Sequence, residues 1–287
     1  LLLYMGVWLV KWKQLNLYEI NKCMVDLRVL SLGAGVQSST VALMMEKGLI
    51  EKADVAVFAD TQNEPKAVME WLDWLRSQLS FPIYVESKGD LKQATMSRLI
   101  SHKFSIIPVF TKDKVTGKKG LSQRQCTRHY KVDVVIKKMR QLLGLKPGER
   151  RKKGTEVEMI MGISKDESMR MRINKLSYVT NVYPLIDLNM TRQDCLDWMK
   201  EQGYPKPPRS ACTYCPFHSI AEWREIKTNK IEWDEVIALD EFIRNKSRNK
   251  NDELFLNAAR VPMKELDLGD ETQMDFFNNE CEGACGV

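Results

Sequence analysis

Residues 28–48 read RVLSLGAGVQSSTVALMMEKG. A short apolar run gives way to two glycines, a glutamine and the hydroxyl residues Ser38, Ser39 and Thr40, and then to a helical pattern expected from about Ser38 to Gly48. Small and hydroxylated residues at a strand-to-helix junction expose backbone N–H groups at the positive end of the helix dipole, which favours a bound phosphate. Two familiar phosphate loops do not fit. A Walker-type loop needs a lysine, and none follows Gly35; a dinucleotide-binding GxGxxG is met at Gly33 and Gly35 but has Ser38 in place of its third glycine.

Outward from that stretch, apolar runs alternate with helical patterns. LRVLSL, DVAVFAD and FPIYVES read as strands, and the latter two lead into helices through AVMEWLDWLRSQL and DLKQATMSRLI. In the first of these helices Val68, Trp71, Leu72, Leu75 and Leu79 recur at spacings of three and four, marking one buried face. Residues 110–120, FTKDKVTGKKG, read as an exposed basic loop, and LKPGERRKKGTE as a second basic, turn-rich connector. Between them RHYKVDVVIKKMRQLLG reads as a helix ended by Gly144; beyond them VEMIMGI reads as a buried strand, and TRQDCLDWMKEQG as a helix between a Thr cap and a closing Gly. Strands alternating with helices imply βαβ units. The expected fold is α/β: a doubly wound, mainly parallel sheet with helices on both faces, plus a cysteine-containing C-terminal segment.

The chain of 287 residues is long enough to bury a real core, and its net charge of +6 permits an anionic partner without demanding one. The ten-residue apolar run that opens it is too short to span a bilayer and lacks a basic leader and a small-residue cleavage site, so residues 1–23 read as an extension, and a cytoplasmic protein with no membrane association is expected. Its seven cysteines are too unevenly placed for a secreted disulfide framework; the pair Cys212 and Cys215 suggests metal or redox chemistry, whereas Cys23 and Cys195 read as bland.

GAGVQSS resembles the SGGxDS pyrophosphate loop of the adenine nucleotide alpha-hydrolase superfamily, with Gly33 in place of the leading serine and Gln37 in place of aspartate. Glutamine cannot neutralise Mg2+ as aspartate does, so Mg2+-dependent ATP cleavage is weakened while phosphate or sulfate binding stays intact. Four later segments resemble the phosphoadenosine phosphosulfate (PAPS) reductase-like branch. FADTQNEP is similar to a shortened DTGxxFPET segment, and GISKDESMRMR to GxRxxESxxR. Residues 182–216, VYPLIDLNMTRQDCLDWMKEQGYPKPPRSACTYCP, parallel the run PLxDW…DVWxYxxxxGLPxxPLYxxGYxSxGCxxCT, and QCTRHYK is similar to the CCxxRK element of iron–sulfur adenylyl-sulfate (APS) reductases.

The resemblance implies an adenine-nucleotide-binding domain over residues 24–216, followed by a helical region with a cysteine tail over 217–287. It implies nucleotide binding by Ser31, Gly33, Gly35, Gln37, Ser38, Ser39, Asp60, Thr61 and Gly162, with Arg170 chelating a phosphate or sulfate. It also implies a 4Fe–4S cluster on Cys126, Cys212 and Cys215, with Cys285 or Cys281 as fourth ligand or with one iron left open. Thiolates alone do not separate such a cluster from structural zinc, which stays an alternative; His218 is a further candidate ligand, read first as an exposed structural histidine. Glu280-Cys281 resembles the C-terminal ECG element whose cysteine is the nucleophile in cluster-free PAPS reductases, which makes Cys281 the candidate catalytic thiol.

Two mechanisms follow from the resemblance. A thiolate could attack a sulfonucleotide and release sulfite after exchange with a reductant such as thioredoxin, or ATP could adenylate an acceptor, including a nucleobase, for a sulfur nucleophile. A noncatalytic nucleic-acid-interacting module is the alternative from another class, supported by the basic segments at Lys112–Lys119 and Arg150–Lys153.

Overall fold

The computed structural model describes residues 25–269. Five strands, β1 (Leu27–Leu32), β2 (Val55–Asp60), β3 (Ile83–Ser87), β6 (Val157–Met161) and β7 (Val179–Val182), form one sheet in the order β3-β2-β1-β6-β7, every pair parallel. The side-chain period of two makes both faces apolar. Leu30, Leu32, Ala56, Phe58 and Ile160 face one core, and Val29, Val55, Val57, Met159 and Met161 face the other. The first core is covered by α1 (Val36–Glu46), α2 (Lys66–Gln78) and the later α6 (Arg192–Glu201); the second by α4 (Asp133–Leu142). This is the expected doubly wound α/β sheet. In α2, Val68, Trp71, Leu72 and Leu75 are buried, as their spacing implies, and Leu79 packs half-buried at its end.

A second layer was not foreseen. The stretch read as a basic loop is a hairpin of β4 (Phe110–Asp113) and β5 (Lys119–Leu121), and β4 also pairs antiparallel with β8 (Asp252–Phe255), giving a three-stranded sheet in the order β5-β4-β8. Its lysines hid the strand because they decorate an exposed face, while Asp113 closes the turn by accepting the N–H groups of Val115 and Thr116 at 2.9 and 2.7 Å. A third core lies under this sheet, made with α3 (Leu91–Ile100), α7 (Ile220–Thr228) and α8 (Lys230–Ile243). The C-terminal region is therefore two helices and a strand folded against residues 91–130. Short α5 (Pro184–Asp187) completes the α-helices among the described residues. None of these helices is long and apolar enough to cross a membrane.

The third core is locked by Asp240, 1% exposed, whose carboxylate accepts the N–H groups of Leu256 (3.2 Å) and Met263 (3.0 Å) and pairs with Arg244. The Arg244 guanidinium in turn lies 3.7 Å from the Phe255 ring centroid. Removing the carboxylate strands a largely buried guanidinium and two amide donors. Asp240→Ala is expected to cost about 3 kcal/mol in urea unfolding, with Asp240→Asn intermediate.

Candidate functional site

In an open parallel sheet, ligands bind outside the strand C-termini where strand order reverses, and here that point lies between β1 and β6. The chain leaves β1 through Gly33, turns at Ala34, whose φ of 58° is left-handed, and enters α1. The α1 N-terminus has no side-chain cap and no acidic residue in its first turn. The starts of α2, α4 and α5 likewise lack a capping side chain, whereas α3, α6, α7 and α8 are capped by Asp90, Thr191, Ser219 and Asn229. Ser38 Oγ accepts the Gly33 N–H (3.2 Å) and Ser39 Oγ the Trp71 indole N–H (2.9 Å), so the first hydroxyl shapes the loop and the second ties α1 to α2.

β6 ends directly against this turn. A Cβ added to Gly162 would sit 2.6 Å from Ser38 Cα and 2.7 Å from Ser38 N, so only glycine permits the approach. Beyond it, the Gln37 amide donates to Ser164 Oγ (3.4 Å) and Glu167 Oε2 (3.3 Å), and Glu167 Oε1 accepts from Arg170 at 2.5 Å.

The resulting cavity is lined by Ser31, Gly33, Gly35, Gln37, Ser38 and Gly162 of the sequence-derived set. The lining does not include Ser39, Asp60, Thr61 or Arg170; Arg170 lies instead in its ion pair with Glu167. The cations on the cavity wall are Lys131, Arg192 and Arg209. Sequence reasoning missed them as a set because their convergence is tertiary, although all three fall inside motifs quoted above, Lys131 in QCTRHYK and Arg192 and Arg209 in the run over 182–216. Lys131 sits in a π-helical turn, Thr127–Val132, that precedes α4 where a regular helix was expected. Such turns redirect side chains and are frequent at functional sites.

Segment 208–215 reaches the cavity through Pro208, Arg209 and Ser210, which line it. Ser210 Oγ donates to the Gly33 carbonyl, and Gly35 faces Ser210 Cβ at 3.4 Å from its own missing Cβ. The segment is also tied to the end of β2. Thr213 N–H donates to the Asn63 carbonyl (2.9 Å), and Tyr214 OH donates to Asn63 Oδ1, which also accepts the Lys92 N–H at 2.8 Å. Asp60 accepts the Gln62 N–H (2.6 Å), and buried Thr61 bridges Glu64 Oε1 (3.0 Å) and Cys212 Sγ (3.2 Å). Asp60 and Thr61 thus shape the seat of the cysteine segment.

Cys126 and Cys212 both border the third core, and the four described cysteines, Cys126, Cys195, Cys212 and Cys215, are thiols. Burial pushes the Cys212 thiol far up, reinforced by Glu64, and no group of three or more His, Cys, Asp or Glu side chains among the described residues converges as metal ligands do. Cys281 and Cys285 lie outside the described residues, as does the extension over 1–23. Cys195 is buried in α6 and its thiol is pushed up to about 12 by burial, in keeping with its bland reading. His218 was expected to be exposed; its side chain is 4% exposed, with Nε2 2.9 Å from the Cys212 carbonyl and its ring edge-on to Trp223. It clamps the cysteine turn from behind.

No family model matches this chain, and no curated protein matches it. Among solved structures it is similar to phosphoadenylyl-sulfate (PAPS) reductase from Candida auris, determined as a phosphate complex, at 10% identity over 67% of this chain and 80% of that one, with a TM-score of 0.38. A likeness at that level carries no functional weight, and the α/β fold rests on the strand order itself.

Two outcomes test the geometry. Gly162→Ala drives a methyl into the α1 backbone, so it is expected to cost about 2 kcal/mol and to weaken anion binding, read by urea unfolding and phosphate titration. Glu222 holds the Arg209 end of the site. Burial would raise its carboxyl, but the adjacent His218 ring, the hydrogen bond and charge of Arg209 and the Ser219 N–H outweigh burial and hold it at about 2. The folded value lies below the ordinary 4.5, so this stabilisation is present above about pH 4.5 and is lost as pH falls through about 2. The stability gap between the wild type and Glu222→Gln is expected to be on the order of 2 kcal/mol at pH 7 and to shrink steadily below pH 4.5.

Proposed function

We propose that the chain is a PAPS reductase-like enzyme that binds an adenine nucleotide or sulfonucleotide in the cavity between β1 and β6 and carries out sulfur chemistry on it. The observation that carries this reading is the uncapped start of α1 opening onto a cavity whose walls hold Lys131, Arg192 and Arg209. Backbone N–H groups at a helix N-terminus and nearby guanidinium groups are the complement of a phosphate or sulfate. The motif resemblance supplies the nucleotide and the sulfur.

In this reading the Gly33–Ser38 turn receives phosphate oxygens, Ser38 Oγ holds the turn's shape, and the cationic side chains offset charge on the leaving nucleotide. Pro208, Arg209 and Ser210 border the group and limit the access of water. The thiolate of Cys281 attacks the sulfur of the sulfonucleotide; the S–O bond to the nucleotide phosphate breaks, and the nucleotide leaves as AMP or its 3′-phosphate. A second thiol, from a reductant such as thioredoxin, attacks the cysteine sulfur of the S-sulfonate, forms a disulfide and expels sulfite.

Gln37 lines the cavity with its amide nitrogen turned to Ser164 and Glu167, an arrangement that favours this reading over Mg2+-dependent ATP adenylation. Separate anaerobic reactions with PAPS, APS and ATP and a thiol reductant, scored for sulfite, AMP and pyrophosphate, decide between them. The expected outcome is sulfite from PAPS or APS, abolished in Cys281→Ser. Nucleotide affinity measured by calorimetry is expected to fall about tenfold in Lys131→Ala and Arg192→Ala, the loss of a charge-assisted contact. Pyrophosphate from ATP without sulfite would establish the adenylating alternative, and no nucleotide binding at all would overturn both.

A further inference from the structure

Two basic segments stand out in the sequence, and the fold treats them differently. Arg150–Lys153 precedes β6 and lies at the N-terminal edge of the parallel sheet, where Glu156 and Asp26 exchange backbone and side-chain bonds. That is the end of the strands opposite the cavity. The β4–β5 hairpin instead leads straight into Gln125–Lys131, the segment that brings Lys131 to the cavity wall.

The hairpin is also joined by a third basic stretch whose role the sequence did not suggest. Lys114 Nζ donates to Asn245 Oδ1 (2.8 Å) and Lys114 N–H to the Asn251 carbonyl (2.7 Å), which fixes the α8–β8 connection, residues 244–251, against the hairpin turn. Lys112, Lys114, Lys118 and Lys119 of the hairpin thereby share one surface with Lys246, Arg248 and Lys250 of the connection, all exposed. Among the described residues none of these cations is within ion-pair distance of a carboxylate. The acidic groups nearby are fewer: Asp252, Glu253, which pairs in register with Lys112, and Asp113, whose Oδ1 is occupied by its own turn. Beside them Phe104 is 58% exposed, and the Arg248 guanidinium lies 5.3 Å from its ring centroid.

We infer that this surface, the β4–β5 hairpin together with the 244–251 connection and Phe104, is a docking site for single-stranded nucleic acid. Closely set cations from two distant segments, with no carboxylate partner among the described residues, match a polyphosphate backbone, and an exposed aromatic ring flanked by arginine offers a base a stacking platform that a duplex cannot use. The inference does not depend on the nucleotide reading, because binding is measured with no nucleotide present.

The test is fluorescence anisotropy with a labelled single-stranded oligonucleotide of about 20 nucleotides, titrated across a range of salt concentrations. The quadruple variant Lys112→Ala, Lys119→Ala, Lys246→Ala, Lys250→Ala leaves the hydrogen-bonded Lys114 and the stacked Arg248 in place. It is expected to weaken binding at least about tenfold and to make the salt slope shallower by about 3. The charge-matched control Lys137→Ala, Arg150→Ala, Lys152→Ala, Lys153→Ala should stay close to wild type. Phe104→Ala should weaken the single strand about tenfold, the loss of one stacked base. Equal losses in the two quadruple variants, no saturable binding at low salt, tighter binding of a duplex, or displacement by an acidic peptide of equal charge would each overturn the inference.

Discussion

The missing side chain of Gly162 is the constraint on which the site depends. With the Ser38 backbone only 2.6 Å from where a Cβ would stand, β6 and the first turn of α1 share space that no other residue would leave open. That contact fixes the axis of α1 relative to the sheet at the place where strand order reverses. Everything else around the cavity is arranged on it: Gln37 reaches across to Ser164 and Glu167, Ser210 comes down on the Gly33 carbonyl, and three cations complete the wall. Because the helix start is left without a capping side chain, its own backbone donors stay available to a bound anion.

The cysteine segment is held by a different logic. Asn63 binds it through both backbone and side chain, Thr61 holds the Cys212 thiol, and His218 grips the Cys212 carbonyl from the opposite side. Arg209 and Glu222 then tie the start of the segment to α7. The lid over the strand ends is thus braced between the parallel sheet and the third core, and neither layer alone would fix its position.

Much of the parallel layer was legible in the sequence because both of its periods are strong. Alternating strand residues sort to two cores, the α2 stripe is buried as spaced, and Thr191 caps α6 through a reciprocal bond with Asp194. The antiparallel layer was not legible: within FTKDKVTGKKG β4 pairs with the short, lysine-bearing β5, its other edge is met only by distant β8, and nothing local shows that second pairing. β7 escaped for a similar reason, since VTNV is short and half-exposed. In the site, the loop residues could be read from their motif, whereas Lys131, Arg192 and Arg209 are brought together only by tertiary structure. Arg170 looked equally suited to an anion in sequence, and its bond to Glu167 is visible only in space.

The pairing of β4 with β8 also bears on how the chain is made. The parallel sheet is complete once Val182 has been added, when β6 has paired with β1 and β7 with β6. Strand β4 is synthesised before β6 and β7 yet has to wait for Asp252–Phe255 before its second edge is satisfied. During synthesis, then, the hairpin leaves the ribosome with one open strand edge, and the order of birth differs from the order of assembly. The lysines along that hairpin keep the waiting edge from pairing with another nascent chain, so the same charges that mark the finished surface protect the unfinished one.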